Sequence, residues 1–182
     1  MIEKFKTLFF VKSSLVTLYL ALTIPIPFVS IDRLKIPSFV IFFLGLYLIM
    51  NITSDYVETC NNKISYKTSL ISKTLGKNNW EISWKDIKLI KSLPTSQGSK
   101  VYYFNTYQGD NFLLPQRVEN FEKFLLIVSK NTGLDMKEIS YISPLWTYKL
   151  LTFLSVLMIV GELFAFYKLN IINTESITLL SN

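Results

Sequence analysis

Glu162 is the one charged residue between Lys149 and Lys168, in a run that is otherwise apolar and aromatic. A carboxylate inside a bilayer-spanning helix costs roughly 2.5–3.5 kcal/mol on insertion scales, so such a residue faces a partner, a water path or the headgroups. Two readings stand: Glu162 reaches headgroup water or pairs with Lys168, or it binds a partner helix. Proton or ion coupling would need a second ionisable group deep in another apolar run. Lys12, near the start of the first run, is the nearest approach to one. Asp86, two residues after Trp84, is the other acid in a suggestive setting. It is read as a buried acid or as an acceptor for backbone donors at a strand bend.

The remaining chemistry is sparse. The chain has no histidine and one cysteine, Cys60, read as a small apolar residue. That removes His-based acid–base catalysis, Ser–His–Asp and Cys–His pairs and intrachain disulfides. The six glycines lie far apart, so no phosphate-binding loop or dinucleotide fingerprint can form. No enzyme activity, catalytic residue, metal ligand or cofactor is expected. Seven lysines between Lys63 and Lys91 form either a solvated basic face or a surface for anionic lipid, with Lys67, Lys73 and Lys77 the candidate headgroup ligands. The aromatics Tyr102, Tyr103, Phe104 and Tyr107 fall on both faces of one strand, as packing residues do, so no nucleic-acid partner is expected.

Hydropathy supplies the elements that position these groups. Half of the 182 residues are apolar, 15% are aromatic, and the mean hydropathy is +0.34. Three apolar blocks stand out: Leu8–Ile31, Ile36–Ile52 and Leu150–Tyr167. Each reaches the minimum spanning length of about 17 residues. Trp146, Tyr148 and Tyr167 flank the third, as an interfacial aromatic belt would. Six residues, Ser30–Lys35, join the first two blocks, so these form an antiparallel helical hairpin. Pro25 and Pro27 weaken the end of its first helix, and Pro37 stands where the second can begin. The first block lacks a small-x-small cleavage site and is read as a retained span.

Between the spans lies a polar block with period-2 patterning. Tyr56–Cys60 and Lys63–Leu70 flank Asn61-Asn62 as a hairpin, and a short strand is expected near Ile71–Leu75. Trp80, Ile82 and Trp84 share one face, and the apolar phase shifts after Asp86 to Ile87 and Leu89, which implies a bulge or bend. A loop at Pro94–Ser99, an aromatic strand at Val101–Tyr107 and a turn into Phe112–Leu114 follow. Val118, Phe121, Phe124, Leu125 and Val128 recur at helical spacing, with Gly133 suited to a C-cap. The expected architecture is α+β: a transmembrane hairpin in residues 1–53, an antiparallel β domain of six or seven short strands in 54–140 closed by a helix over 118–132, and a third transmembrane helix with a short tail in 141–182.

The order of a turn-rich strand pair, Trp84-Lys-Asp-Ile87, a tyrosine-rich hairpin and the closing segment Asn120–Leu126 resembles bacterial membrane-anchored pleckstrin-homology-like domains. The hairpin-then-domain order also shows a distant architectural similarity to the photosystem I assembly factor of cyanobacteria and plastids, from which the third span departs. The resemblance implies a non-enzymatic membrane protein whose domain binds other integral membrane proteins, as an assembly or stability factor for a membrane complex, photosynthetic if the source is. Glu162, Trp84 and Asp86 are the candidate partner-binding residues. The alternative is a regulatory module that responds to an anionic lipid surface.

The polar block carries thirteen Lys/Arg against nine Asp/Glu, and the segment ahead of the first span is also basic. Positive-inside counting puts both in the cytoplasm and the tail outside, in the cytoplasmic or, in a photosynthetic source, the thylakoid membrane. A reporter fused after Asn182 should therefore lie on the opposite side from one inserted at Lys100, and finding both on one side would remove the third span.

Overall fold

The computed structural model describes residues 2–96 and 98–180, with side chains as far as Leu169. The expected hairpin forms: Tyr56–Thr59 (β2) and Lys63–Lys67 (β3) pair antiparallel across Asn61-Asn62. Trp80–Ser83 (β4) adds to β3. The other edge of this sheet is filled from the far side of the apolar hairpin. Glu3–Lys6 (β1) pairs antiparallel with β2, Phe5 opposite Val57, and both side chains are buried. The sheet thus has the order β1-β2-β3-β4, and a strand from the first residues joins the domain expected to begin at residue 54.

The segment expected to be a strand near Ile71–Leu75 is a one-turn helix, Leu70–Thr74 (α4). Ser69 caps it, its hydroxyl accepting from the Ser72 N–H at 3.1 Å. Capping of this kind, together with a tertiary tie described below, outweighs the apolar pair Ile71 and Leu75 that suggested a strand.

The phase shift near Asp86 is real and takes the form of a single 3-10 turn over Trp84–Asp86, followed by a register slip between Ile87 and Leu89. The slip turns Leu89 outward, against expectation, and aims Ile90 at the core. Ile87–Pro94 (β5), Lys100–Thr106 (β6) and Asn111–Leu113 (β7) make the second antiparallel sheet. Trp84 is buried at the bend, its Nε1 donating to the Cys60 carbonyl at 2.8 Å, so the bend and the β2–β3 turn lock together. Asp86 is exposed rather than buried, and does not serve as acceptor for the bend. Its backbone carbonyl takes the Tyr107 N–H at 3.0 Å.

The closing helix is Phe121–Thr132 (α5), three residues shorter at its start than expected. Val118 is instead bridged to Thr7, and Asn120 precedes the helix at φ 51°. Phe121, Phe124, Leu125 and Val128 enter the core, where Phe124 meets Phe5 edge-on at 5.4 Å between ring centroids. Gly133 ends the helix in the left-handed region, where a glycine is unstrained.

Three stretches are helical, long and apolar enough to cross a membrane: Phe9–Val29, Asp32–Ile52 and Leu145–Leu169. The first is divided at Ile24 into Phe9–Thr23 (α1) and Pro25–Val29 (α2), because Pro25 and Pro27 each lack the N–H that would continue the ladder. The second, Asp32–Ile52 (α3), starts before Pro37, which lies inside the helix rather than at its beginning. The third belongs to Leu145–Leu180 (α6), so the tail expected from Lys168 is helical to Leu180; Ser181 and Asn182 lie outside the described residues. Helix α6 runs parallel to α1. Lys149 sits over the Phe10 ring at one end, and Phe166 lies beside Phe28 at the other. Ser14, Ala21 and Ser155 are buried, and small residues allow such close helix approach. Tyr19 joins α1 to α3, its hydroxyl donating to the Phe42 carbonyl at 2.8 Å and its ring stacked on Phe42. Gly45 leaves room for that ring, which a Cβ there would overlap.

Strand β1 supplies a direct test. A soluble fragment starting at residue 54 should be less stable than the same fragment with residues 2–7 joined to it by a short turn. The difference should be at least about 3 kcal/mol in urea unfolding, the scale of a deleted core phenylalanine. Equal midpoints would show that β1 adds nothing to the domain.

Candidate functional site

Asp55 follows α3 by three residues and is the buried charge of the domain, its side chain 4% exposed. Oδ1 accepts from the Ser69 N–H at 3.0 Å and the Ser72 hydroxyl at 2.9 Å. Oδ2 accepts from the Tyr66 hydroxyl and the Lys77 ammonium, both at 3.1 Å. Four donors, one of them cationic, offset the loss of water around the carboxylate. The Asp55 carbonyl also accepts from the Thr7 hydroxyl at 2.9 Å, two residues before α1. One residue thus ties the start of α1, the end of α3, β3 and α4.

The segment leading into α6 is also tied to the domain. Tyr102 donates its hydroxyl to the Glu138 carbonyl at 2.8 Å. Buried Gln116 donates to the carbonyls of Lys100 and Ser140. Between these ties opens a cleft of about 640 Å³. Thr7, Asp55 and Ile142 line it, so it extends to where all three long helices join the domain. One wall is aromatic: Tyr66 stacks on Trp80 at 5.8 Å, and Trp80 meets Phe112 at 5.6 Å. Lys77 and Arg117 supply the cations of the lining. Lys77 is half exposed and partly neutralised by Asp55. Arg117 is exposed, and its guanidinium has no acidic partner among the described residues; its carbonyl takes the Leu8 N–H.

The residues singled out from the sequence are dispersed. Of the three lysines, Lys77 lines the cleft. Lys73 is exposed at the end of α4, and half-buried Lys67 lies on β3 near enough to Glu81 to help hold its carboxyl below the usual range, behind the hydrogen bond from Lys63. Trp84 is in the core and Asp86 on the surface, so these two form no common site. Glu162 lies about 17 residues into α6, one turn before Phe166 and hence level with the end of α1. Its Oε2 is sealed from solvent and has no hydrogen-bond partner among the described residues. Lys168 sits over the Phe164 ring rather than beside Glu162. Among the described residues no three His, Cys, Asp or Glu side chains are grouped to hold a metal ion. Asp55 and Arg117 were missed by the sequence reading. The signal for Asp55 was faint: an acid placed three residues after an uncharged apolar run.

The chain is 31% identical over 156 residues to the uncharacterized protein slr0269 of Synechocystis sp., in an alignment covering 81% of this chain and 77% of that protein. The chain belongs to the family of that cyanobacterial protein. No family model matches the chain. The aligned length is greater than the three long apolar helices combined, so the family likeness is not confined to them.

Tyr66 links the cleft to stability. Burial first, and then the Asp55 charge and hydrogen bond, push its phenol above the ordinary value of 10.0. The folded state therefore holds the proton more tightly than the unfolded state. That contribution is complete below about pH 10 and is lost as the pH rises beyond it. Unfolding of the detergent-solubilised chain should show an alkaline loss of stability starting near pH 10 that Tyr66→Phe reduces. Identical alkaline slopes in the two proteins would overturn this.

Proposed function

We propose that this is an integral membrane protein that binds another membrane protein through its spans and serves as an assembly or stability factor for a membrane complex, with no catalytic role. Glu162 carries the reading. A carboxylate costs least within a bilayer when its lone pairs have donors, and one oxygen of Glu162 has none among the described residues. The Lys168 pairing that would have made the residue merely interfacial is not formed, because Lys168 covers a phenylalanine. A polar or basic side chain on a neighbouring helix would supply the missing donor once the side chains that cover Oε2 in the lone chain move aside.

The sidedness proposed is cytoplasmic for the β domain. The β1–β2 pairing supports placing the N-terminal strand and the domain on the same face, and the Lys/Arg excess supports that face being the inner one. A four-stranded and a three-stranded antiparallel sheet with one closing helix suit the pleckstrin-homology-like reading. The resemblance to the photosystem I assembly factor makes a photosynthetic complex the first partner to look for.

Co-purification from native membranes in mild detergent tests the proposal. At matched expression, Glu162→Gln should weaken partner recovery mildly and Glu162→Leu more. An intramembrane hydrogen bond is worth only about 0.6–2 kcal/mol, so partial loss is the expected result. Full recovery with leucine would remove Glu162 from the interface.

A further inference from the structure

The cleft and its surroundings carry a second, separate inference, which rests only on the membrane part of the reading above. If the three long helices span a bilayer, the residues just beyond their ends lie among the headgroups. The cleft reaches that level, since Thr7, Asp55 and Ile142 each fall within three residues of a helix end. Helix α4 packs against α3 at the same end and leaves Leu70 and Leu75 79% and 65% exposed, with Lys73 between them. Exposed leucines beside a lysine are suited to the bilayer interface, where the apolar chains enter the lipid and the ammonium stays with the headgroups.

The lining has two kinds of surface. Trp80, Phe112 and Leu113 offer an apolar wall, and Arg117 and Lys77 offer cations. Asp55 is the acid of the lining, and its two oxygens are already occupied by four donors. The charge left over is that of Arg117, whose planar guanidinium is fitted to bind the oxygens of a phosphate in pairs. A volume of about 640 Å³ is within the range of small-molecule sites and holds a headgroup with the first part of its chains.

We propose that the cleft binds one anionic glycerolipid, its phosphate between Arg117 and Lys77 and its glycerol and upper acyl carbons along Trp80, Phe112 and Leu113. The ligand is a membrane lipid and not a free anion, because the apolar wall and the cations line one cleft that reaches the helix ends. This occupant differs from a diffuse layer of lipid held by the whole lysine face. It is a single molecule, bound at a site that excludes Lys67 and Lys73.

Reconstitution of the full chain into nanodiscs of phosphatidylcholine with a minor share of phosphatidylglycerol tests this, with native mass spectrometry counting the lipids that survive detergent release. One phosphatidylglycerol per chain should be retained in preference to phosphatidylcholine. Arg117→Gln, at an exposed side chain with no ion pair or hydrogen bond among the described residues, should weaken that retention about fivefold, the effect of one cation near an anionic headgroup. Lys73→Gln should leave retention unchanged. Equal retention of both lipids, an unchanged Arg117→Gln protein, or displacement of the lipid by added inorganic phosphate would overturn the proposal. Failure of the chain to enter the nanodisc would overturn the membrane reading itself, whereas entry without a retained anionic lipid would overturn the cleft alone.

Discussion

A buried carboxylate must be surrounded by donors or it destabilises the fold by several kcal/mol. At Asp55 that requirement organises the molecule. The donors come from β3, from the loop that caps α4, from α4 itself and from the segment leading into β4. The same residue's carbonyl takes Thr7 from the entry to α1. Satisfying one charge therefore fixes where two apolar helices leave the β domain and how the β3–β4 connection folds. The cleft exists because those elements converge on Asp55 without filling the space between them and the second sheet.

Strand β1 places a second constraint on the chain. It lies ahead of the apolar hairpin, yet pairs with the strand that follows it. The segment between them must leave the sheet and return to the same end of it, which the helical hairpin of α1, α2 and α3 does. The hairpin is thus an insertion between neighbouring strands of one sheet, and the domain is assembled from both sides of it. Helix α6 then leaves the domain parallel to α1, and the small residues Ser14, Ala21 and Ser155 let the two approach.

What could be read from the sequence follows the range of each interaction. The Asn61-Asn62 hairpin, the slip after Asp86, the Gly133 cap and the three apolar helices depend on neighbours within a turn or a strand, and their residue types announce them. Strand β1 was illegible because four residues with a single buried side chain, Phe5, carry almost no alternation, and their partner lies some fifty residues on. Helix α4 was misread because its fold is decided by Ser69 and by Asp55, not by Ile71 and Leu75. The site was least legible of all. Trp84 and Asp86 stood out by type, but one is core and the other surface, whereas Asp55 draws its meaning from donors 11 to 22 positions away.

The β1–β2 pairing has a mechanical side. Its register sets Lys6 opposite Tyr56 at the end nearest the helices and Glu3 opposite Thr59 at the far end. Any lateral force that drew α1 away from α3 would reach this ladder from the Lys6–Tyr56 end. The load would fall on one pair of hydrogen bonds after another, as in a zipper, and not on all of them together, as in shear. Tyr19 and its bond to the Phe42 carbonyl stand against that separation within the helical layer itself. A sheet edge coupled in this way ties the β domain to the spacing of α1 and α3.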